Sequence, residues 1–414
     1  MNVPATAVLT FEQALATVLE HAATVAPGSI ESVPLLESLG RVLAEAIVAD
    51  RDQPPFDRST RDGFAVKAAD WCSGKPLRVV AQLRAGEAWQ RGDLPAGAAV
   101  EIMTGALVPA GADAVAMIEH AMHDGDQVHA AEGRRLAAGE NIVLRGSEAR
   151  AGDIVVPPGT LITAGEIAEA ATCGLSELRV HQRPKVAILA TGDELVEVTE
   201  QPAEHEIRNS NSYSLAALVQ SAGGAPVRAP IARDTREDLR AGIQAAAGSD
   251  LLLLSGGVSA GKYDFVEEVL AEYGAEFLFT GVRMQPGKPV VFGRLPTGDS
   301  SRRFHYFFGL PGNPISTEVT FHCFVAPMLR ALSGVGASQP RFVQATLIED
   351  LAGKPGLTRI LPACLTSDLH RPTVRLVFWH GSGDLAANAR ANCYAVLPEG
   401  REVHSGDVIT VLLR

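Results

Sequence analysis

The segment LLLLSGGVSAGKYDFVEEVL, residues 251–270, constrains this chain more than any other stretch. Four leucines follow Asp250. Ser255, Gly256, Gly257, Val258, Ser259, Ala260 and Gly261 come next, and then an amphipathic run. A short apolar run bounded by glycines predicts a strand buried on both faces of a parallel sheet. Glycines at its carboxyl end permit a tight turn and let a ligand approach the peptide N–H groups. A helix starting there directs its positive end at the same place. Such a spot suits a phosphate or another oxyanion.

The rest of the chain repeats this grammar between about residues 183 and 332. Apolar runs at 186–190, 227–231, 251–254, 277–279, 290–292 and 306–308 alternate with helical patterns at 212–221, 236–247, 264–273 and 315–332. That alternation predicts a doubly wound, largely parallel α/β sheet, with Pro327 kinking or fraying the last helix. Thr10 and Gln13 form a capping-box pattern ahead of a helix carrying Phe11, Leu15, Val18 and Leu19. Leu36, Leu39, Val42, Leu43 and Ile47 predict a second helix over 35–49. From 79 to 158 short strand-like pieces between Gly and Pro turns predict a small β module. After Gly336, VQATL, VRLVF and VITVLL predict a C-terminal β-barrel or small sheet. The length of 414 residues fits about three domains.

A formal charge of −12 disfavours a general nucleic-acid or membrane-surface binder, so an anionic ligand must be held by local basic groups and backbone N–H donors. Cys72, Cys173, Cys323, Cys364 and Cys393 are odd in number and include no C-x-x-C pair, which fits free thiols in a reducing compartment. With no signal-peptide pattern at the N-terminus and no apolar run of membrane-span length, the expectation is a cytoplasmic protein.

In an open α/β sheet, ligands bind beyond the carboxyl ends of the strands. Three loops should converge there: TGDEL (Thr191, Gly192, Asp193, Glu194, Leu195), SGGVSAGKYD (255–264) and GLPGNPIST (309–317). Each loop alone is ordinary turn chemistry; three in one sheet predict a crevice. Ser255, Gly256, Gly257, Ser259, Gly261, Pro311, Gly312, Asn313 and Ser316 are its candidate phosphate-binding positions, although Ser316 and Thr317 serve equally as helix caps. Asp193, Glu194, Asp234 and Asp264 lie beside these loops. Carboxylates beside phosphates suit Mg²⁺, while Asp234 and Asp264 also fit helix N-caps. Lys288, between Gly287 and Pro289, is a candidate phosphate-binding lysine or a solvated one. The loops PPFDRSTRDGFAV (54–66) and ENIVLRGSEARAGD (140–153) mix Arg58, Arg61, Arg145 and Arg150 with Asp57, Asp62 and Glu148, either as a site or as salt-bridged turns. The stretch from Gly256 to Lys262 has P-loop spacing, but Tyr263 stands where the Mg²⁺-binding hydroxyl belongs. His120 and His123 lack further ligands at zinc-site spacing.

At these residues the chain resembles the molybdopterin molybdenumtransferase family, which is similar to the C-terminal domain of gephyrin. The motifs that carry the resemblance are FDRSTRDGFAV (56–66), EIMTGALVPAGADAV (101–115), GENIVLRGSE (139–148), TGDEL, SGGVSAGKYD, QPGKPVVFG, GLPGNPIST and a C-terminal GSG…AN stretch (381–392). They run in family order along nearly the whole chain. The resemblance implies a multidomain α/β protein: an N-terminal helix (1–26) beside the α/β domain, an elongated β/α region (27–50 and 154–182), an inserted β module (51–153), a molybdopterin-binding α/β domain (183–334) and a C-terminal β-barrel (338–414). It implies a homodimer with its active site between the α/β domain of one subunit and the β module of the other. The implied reaction takes adenylylated molybdopterin and molybdate with Mg²⁺, inserts molybdenum, hydrolyses the pyrophosphate link and releases AMP. The implied partners include the adenylyltransferase that supplies the substrate and the delivery proteins of molybdoenzymes. By motif position, Asp62 and Thr104 match active-site residues of the β-module side, Glu194, Asp234 and Asp264 the acidic residues of the α/β domain, and Lys288 a basic one. Arg145 is retained, whereas Val143, Glu148, Gln285 and Ala386 to Asn388 depart from the family pattern. Which residues hold the oxyanion therefore stays open, as does molybdate against tungstate. An adenylyltransferase and a cofactor-binding scaffold are the rival readings. The β module and barrel argue against the first; the intact acidic residues argue against the second.

Overall fold

The computed structural model describes residues 8–257, 265–296 and 305–414. Its central sheet runs Ala225–Arg228, Lys185–Ala190, Leu251–Ser255, His305–Leu310, Val291–Leu295, Glu276–Phe279. The first four strands are parallel, and Val291–Leu295 is antiparallel to both of its neighbours. The four leucines behave as expected of a strand covered on both faces. Leu251 and Leu253 pack into one cluster with Val186, Ile188 and Phe308. Leu252 and Leu254 pack into the opposite cluster with Ala187, Leu189 and Phe307. This is the two-residue alternation of a strand, with no polar face to spare. Helices Ser210–Ser221, Pro314–Thr320 and Phe11–Ala22 cover the first face, and Arg236–Ala245 and Val266–Glu272 the second.

The N-terminal capping box is present: Thr10 Oγ1 accepts from the Gln13 amide at 3.2 Å, and Gln13 Oε1 accepts from the Thr10 amide at 3.0 Å. Residues Leu9–Thr10 pair with Val282–Gln285, which in turn pairs with Thr358–Ser367. That edge leads into the C-terminal barrel, where Thr358–Ser367, Pro372–Leu376, Phe342–Leu347, Val408–Leu413 and Cys393–Leu397 close through the pairing of the first strand with the last. A separate six-stranded sheet, with Gly63–Val66 paired to both Ala98–Ile102 and Ala114–Met117, makes up the β module and has its own buried clusters on its two faces.

Two expectations need correction. Residues 35–49 do not form a helix. The strand Ile30–Pro34 pairs with Glu177–His181, a single 3₁₀ turn covers Leu35–Ser38, and Ile47–Val48 is a short strand. Leu36 and Leu39 are exposed whereas Val42, Leu43 and Ile47 are buried, so the five apolar residues share no helical face. Gly40, at φ +70°, breaks the turn, and long-range bridges from Val42 to Leu161 and from Leu43 to Val180 take the backbone instead. The helix over 315–332 is real but composite: Pro314–Thr320, a π turn over Phe321–Val325, then Ala326–Leu332. Ala326 N–H reaches back five residues to the Phe321 carbonyl. The wide turn sits just ahead of Pro327, which has no N–H to give. All five cysteines are free thiols, and among the described residues no helix is long and apolar enough to cross a membrane.

Candidate functional site

Three of the motif loops meet at the carboxyl edge of the central sheet. The Thr191 amide donates to the Ser255 carbonyl at 3.0 Å, and the Gly256 amide donates to the Leu310 carbonyl at 3.1 Å. The glycines are needed for this approach. A Cβ on Gly256 would stand 2.4 Å from the Thr191 carbonyl oxygen, and one on Gly257 would stand 2.7 Å from Thr191 Oγ1. Both glycines also have positive φ, +94° and +64°. The result is a shallow cradle of backbone next to Gly312, suited to an anion that binds through N–H groups.

Asn211, at the start of helix Ser210–Ser221, ties the cradle together. Its Nδ2 donates to Ser255 Oγ at 2.9 Å, to the Gly312 carbonyl at 2.8 Å and, more weakly, toward Thr317 Oγ1 at 3.4 Å. Thr317 Oγ1 in turn donates to the Pro311 carbonyl at 2.5 Å. This hydroxyl therefore holds the GLPGNP loop closed from inside. Sequence reasoning missed Asn211 because RNSNSY reads as cap chemistry, which its neighbour Asn209 performs by accepting from the Ser212 amide. Two buried oxygens in this junction, Thr191 Oγ1 and Asn211 Oδ1, have no hydrogen-bond partner among the described residues. Buried polar atoms left unpaired inside a crevice point to a ligand or water that satisfies them.

The carboxylates flank the cradle. Asp193 and Glu194 are exposed, and Asp234 is half-buried. The Asp234 amide donates to Asp193 Oδ1 at 3.2 Å, and Arg233 Nη1 donates to the Asp193 carbonyl at 2.8 Å. Glu194 folds back over Gly192: a Cβ there would lie 2.6 Å from Glu194 Oε2. Thr235, and not Asp234, caps the following helix, which leaves the Asp234 carboxylate out of that task. Ser259, Gly261 and Asp264 lie outside the described residues. No group of three or more metal-ligating side chains occurs among the described residues.

Lys288 is exposed on the QPGKP loop, which packs against the far end of helix Pro314–Thr320. Gly287, φ +109°, presses on helix Pro314–Thr320, where a Cβ would lie 2.7 Å from Thr320 Cγ2. Gln285 accepts from Lys354 Nζ at 3.2 Å, so a lysine of the barrel region reaches this position. The GSG stretch meets the GLPGNP loop: Asn313 Nδ2 donates to Ser382 Oγ at 2.9 Å, and the Ile315 amide donates to the Ser382 carbonyl at 3.0 Å. Pro311 and Ser316 are buried, the latter with its carbonyl accepting from Thr320 Oγ1 at 2.8 Å.

Asp62 and Thr104 pair with each other beside strands of the separate sheet. The Thr104 amide and hydroxyl donate to the same Asp62 oxygen, Oδ1, at 2.6 and 2.7 Å. These two bonds, the amide first, hold the Asp62 carboxyl below the ordinary range. The pair is exposed. Gly63 positions it, since a Cβ there would lie 1.9 Å from the Ala116 carbonyl oxygen. The hydrogen bonds of the pair stay within the β module and do not bring it to the cradle. Arg145 belongs to a third place. Its Nε pairs with Asp52 at 2.8 Å, and its amide donates to Asp57 at 2.8 Å. Arg58 pairs with Glu148 at 3.2 Å. Two ion pairs, Arg145–Asp52 and Arg58–Glu148, brace these loops, and the Arg145 side chain remains exposed.

Comparison with known proteins shows the family. Residues 9–174 match the MoeA N-terminal region (domain I and II), 187–331 match a probable molybdopterin binding domain, and 344–413 match the MoeA C-terminal region (domain IV). A molybdopterin molybdenumtransferase of Staphylococcus aureus (strain Mu50) is 36% identical over 394 residues, covering 92% of this chain and 90% of the relative. The chain belongs to the molybdopterin molybdenumtransferase family. A family member from Staphylococcus epidermidis is 34% identical over 392 residues, again covering 92% of this chain and 90% of the relative. The crystal structure of the molybdopterin biosynthesis moeA protein of Pyrococcus horikoshii OT3 superposes with a TM-score of 0.79 at 27% identity, covering 99% of this chain and 100% of that one. A second moeA structure from that genus gives 0.73 at 30% identity, over 98% and 99% of the two chains. Membership makes this chain a transferase with a role in molybdenum cofactor biosynthesis.

Proposed function

We propose that this enzyme transfers molybdenum from molybdate to adenylylated molybdopterin, with hydrolysis of the pyrophosphate link and release of AMP. The observation that carries the reading is the cradle cross-linked by Asn211. Backbone and hydroxyl groups from TGDEL, SGG and GLPGNP surround a crevice that contains two unpaired buried oxygens. A pyrophosphate-bearing substrate presents the negative oxygens that such a surface recognises. Thr191 Oγ1 would donate to the substrate, and Asn211 Oδ1 would accept from it. Lys288, exposed on a loop anchored to the same helix, would supply positive charge toward the molybdate dianion.

Glu194 and Asp234 fit Mg²⁺, because that ion uses one or two carboxylates together with substrate phosphate oxygens and waters. Bound there, Mg²⁺ would neutralise phosphate charge. Asp264, by its motif position, would join this set. The Asp62–Thr104 pair would complete the site from the β module of a second subunit, with Asp62 ionised and orienting the reacting groups. Its preset hydrogen bonds mean that little reorganisation is needed when the substrate arrives.

The test is AMP release by the purified protein given adenylylated molybdopterin and Mg²⁺, with and without molybdate. Molybdate-dependent release that disappears in Asp62→Ala supports the reading. Formation of adenylylated molybdopterin from ATP and molybdopterin, or binding with no cleavage under any condition, overturns it.

A further inference from the structure

A second cleft lies at the opposite end of the sheet, where Arg183 precedes strand Lys185–Ala190 and Gly223 precedes strand Ala225–Arg228. It has a volume of about 780 Å³, within the range of small-molecule sites. Arg41, Arg183, Arg330, Arg341 and Arg414 line it, with His181 and His322, and no aspartate or glutamate is among its lining residues. Five guanidinium groups in one cleft are unexpected in a chain of net charge −12.

Two of the five are neutralised in place. Arg41 pairs with Glu31, and Arg414 pairs with Glu318. Three are not. Arg330 donates only to neutral acceptors, Ser338 Oγ at 3.3 Å and the Gln339 carbonyl at 3.1 Å. The guanidinium groups of Arg183 and Arg341 have no hydrogen bond or ion pair among the described residues. The cations also oppose one another: burial first and then the neighbouring Arg341 destabilise the charge on Arg330, and burial and then Arg41 do the same to Arg183, with Glu31 offsetting them only in part. Holding like charges together in this way is unfavourable unless an anion lies between them. The wall between the arginines is apolar, with Leu218, Phe321 and Ala326. The π turn Phe321–Val325 supplies two lining residues, and such turns recur at functional sites.

We infer that this cleft is an anion site for a small phosphorylated molecule, its phosphoryl group held by Arg330, Arg341 and Arg183 and its less polar part resting on the Phe321 wall. Guanidinium groups match phosphoryl oxygens in bidentate geometry, which favours phosphate over a monovalent ion. The site also has a route to the cradle. Arg414 reaches from the cleft to Glu318 on helix Pro314–Thr320, which begins at the GLPGNP loop. An anion that draws Arg414 away from Glu318 would alter the footing of that loop.

The experiment is calorimetric titration of the full-length protein with inorganic pyrophosphate at constant ionic strength, using wild type, Arg341→Gln, Arg330→Gln and Asn211→Ala. Arg341 is exposed, so its variant tests binding without burdening the fold. The expected result is a saturable site weakened about ten-fold or more by either arginine substitution, as for loss of a charged hydrogen bond, and retained in Asn211→Ala. Absence of saturable binding overturns the inference. So does binding that only Asn211→Ala removes, which would locate it in the cradle. A change in sedimentation mass in Arg341→Gln, with pyrophosphate affinity unchanged, also overturns it by making the cleft a contact between copies of the chain.

Discussion

Glu318→Gln is the substitution whose consequence can be worked furthest. Glu318 is 7% exposed, between helix Pro314–Thr320 and the barrel. Asn388 Nδ2 donates to its Oε2 at 2.5 Å, Arg414 pairs with Oε1, and His322 Nε2 stands 3.7 Å from Oε1. Tyr394 donates to Asn388 Oδ1 at 2.9 Å and completes the network. Burial alone would raise the Glu318 carboxyl, but His322, Arg414 and Asn388 outweigh it and bring it from 4.5 down to about 2. At about 1.4 kcal/mol per pH unit, that depression corresponds to about 3 kcal/mol of folding stability. The sign follows from the direction. A carboxyl lowered by folding stabilises the native state above its unfolded value of 4.5, and the contribution is lost as pH falls toward 2. Scanning calorimetry of wild type and Glu318→Gln measures it. At neutral pH the substitution should lower the transition of the α/β unit and barrel by about 6–12 °C. At about pH 3.5 the difference should shrink to roughly 2 kcal/mol. A difference that is negligible at neutral pH, or that grows as pH falls, would refute the reasoning.

Other substitutions address the site. Asn211→Ala removes two good hydrogen bonds and should cost about 1–3 kcal/mol of local stability; faster amide hydrogen exchange at Gly312 and Ser255, with weaker substrate binding in equilibrium dialysis, is the expected readout. Gly256→Ala puts a methyl group 2.4 Å from the Thr191 carbonyl oxygen. It should abolish substrate binding while the circular dichroism of the β module and barrel stays intact. Thr104→Val removes the hydroxyl bond to Asp62 but keeps the amide bond, so the Asp62 carboxyl should rise only part of the way toward its ordinary value; NMR titration of that carboxyl checks this, and the acid limb of the activity profile should move to higher pH with it. Lys288→Gln should weaken the dependence on molybdate concentration more than that on the pterin substrate, measured as separate KM values.

Much of the fold was legible because its signals are local. Leu251 to Leu254 have no polar partner face and must be covered twice, and Thr10 with Gln13 writes a helix start in four residues. The helix expected over 35–49 failed because apolar spacing is silent about distant strands: the partners of residues 30–34, 42 and 43 lie in residues 161–181. The site divides in the same way. Gly256, Gly257 and Gly312 announce a backbone cradle through residue type. Asn211 does not, since an asparagine before an apolar helix looks like a cap until the fold brings Ser255 and Gly312 to its amide. Arg145 is ambiguous for the opposite reason, because a charged loop reads alike whether its charges serve a ligand or one another; the fold pairs Arg145 with Asp52 and leaves its side chain exposed.

The central claim, a site assembled from the cradle of one subunit and the Asp62–Thr104 pair of another, is tested most directly with a mixed dimer. Asp62→Ala and Glu194→Ala subunits are co-expressed with different tags and purified through both. Each parent variant should be inactive in molybdate-dependent AMP release. The mixed dimer keeps one intact composite site out of two and should show about half the wild-type rate. A mixed dimer as inactive as its parents, or no doubly tagged species at all, would contradict the account.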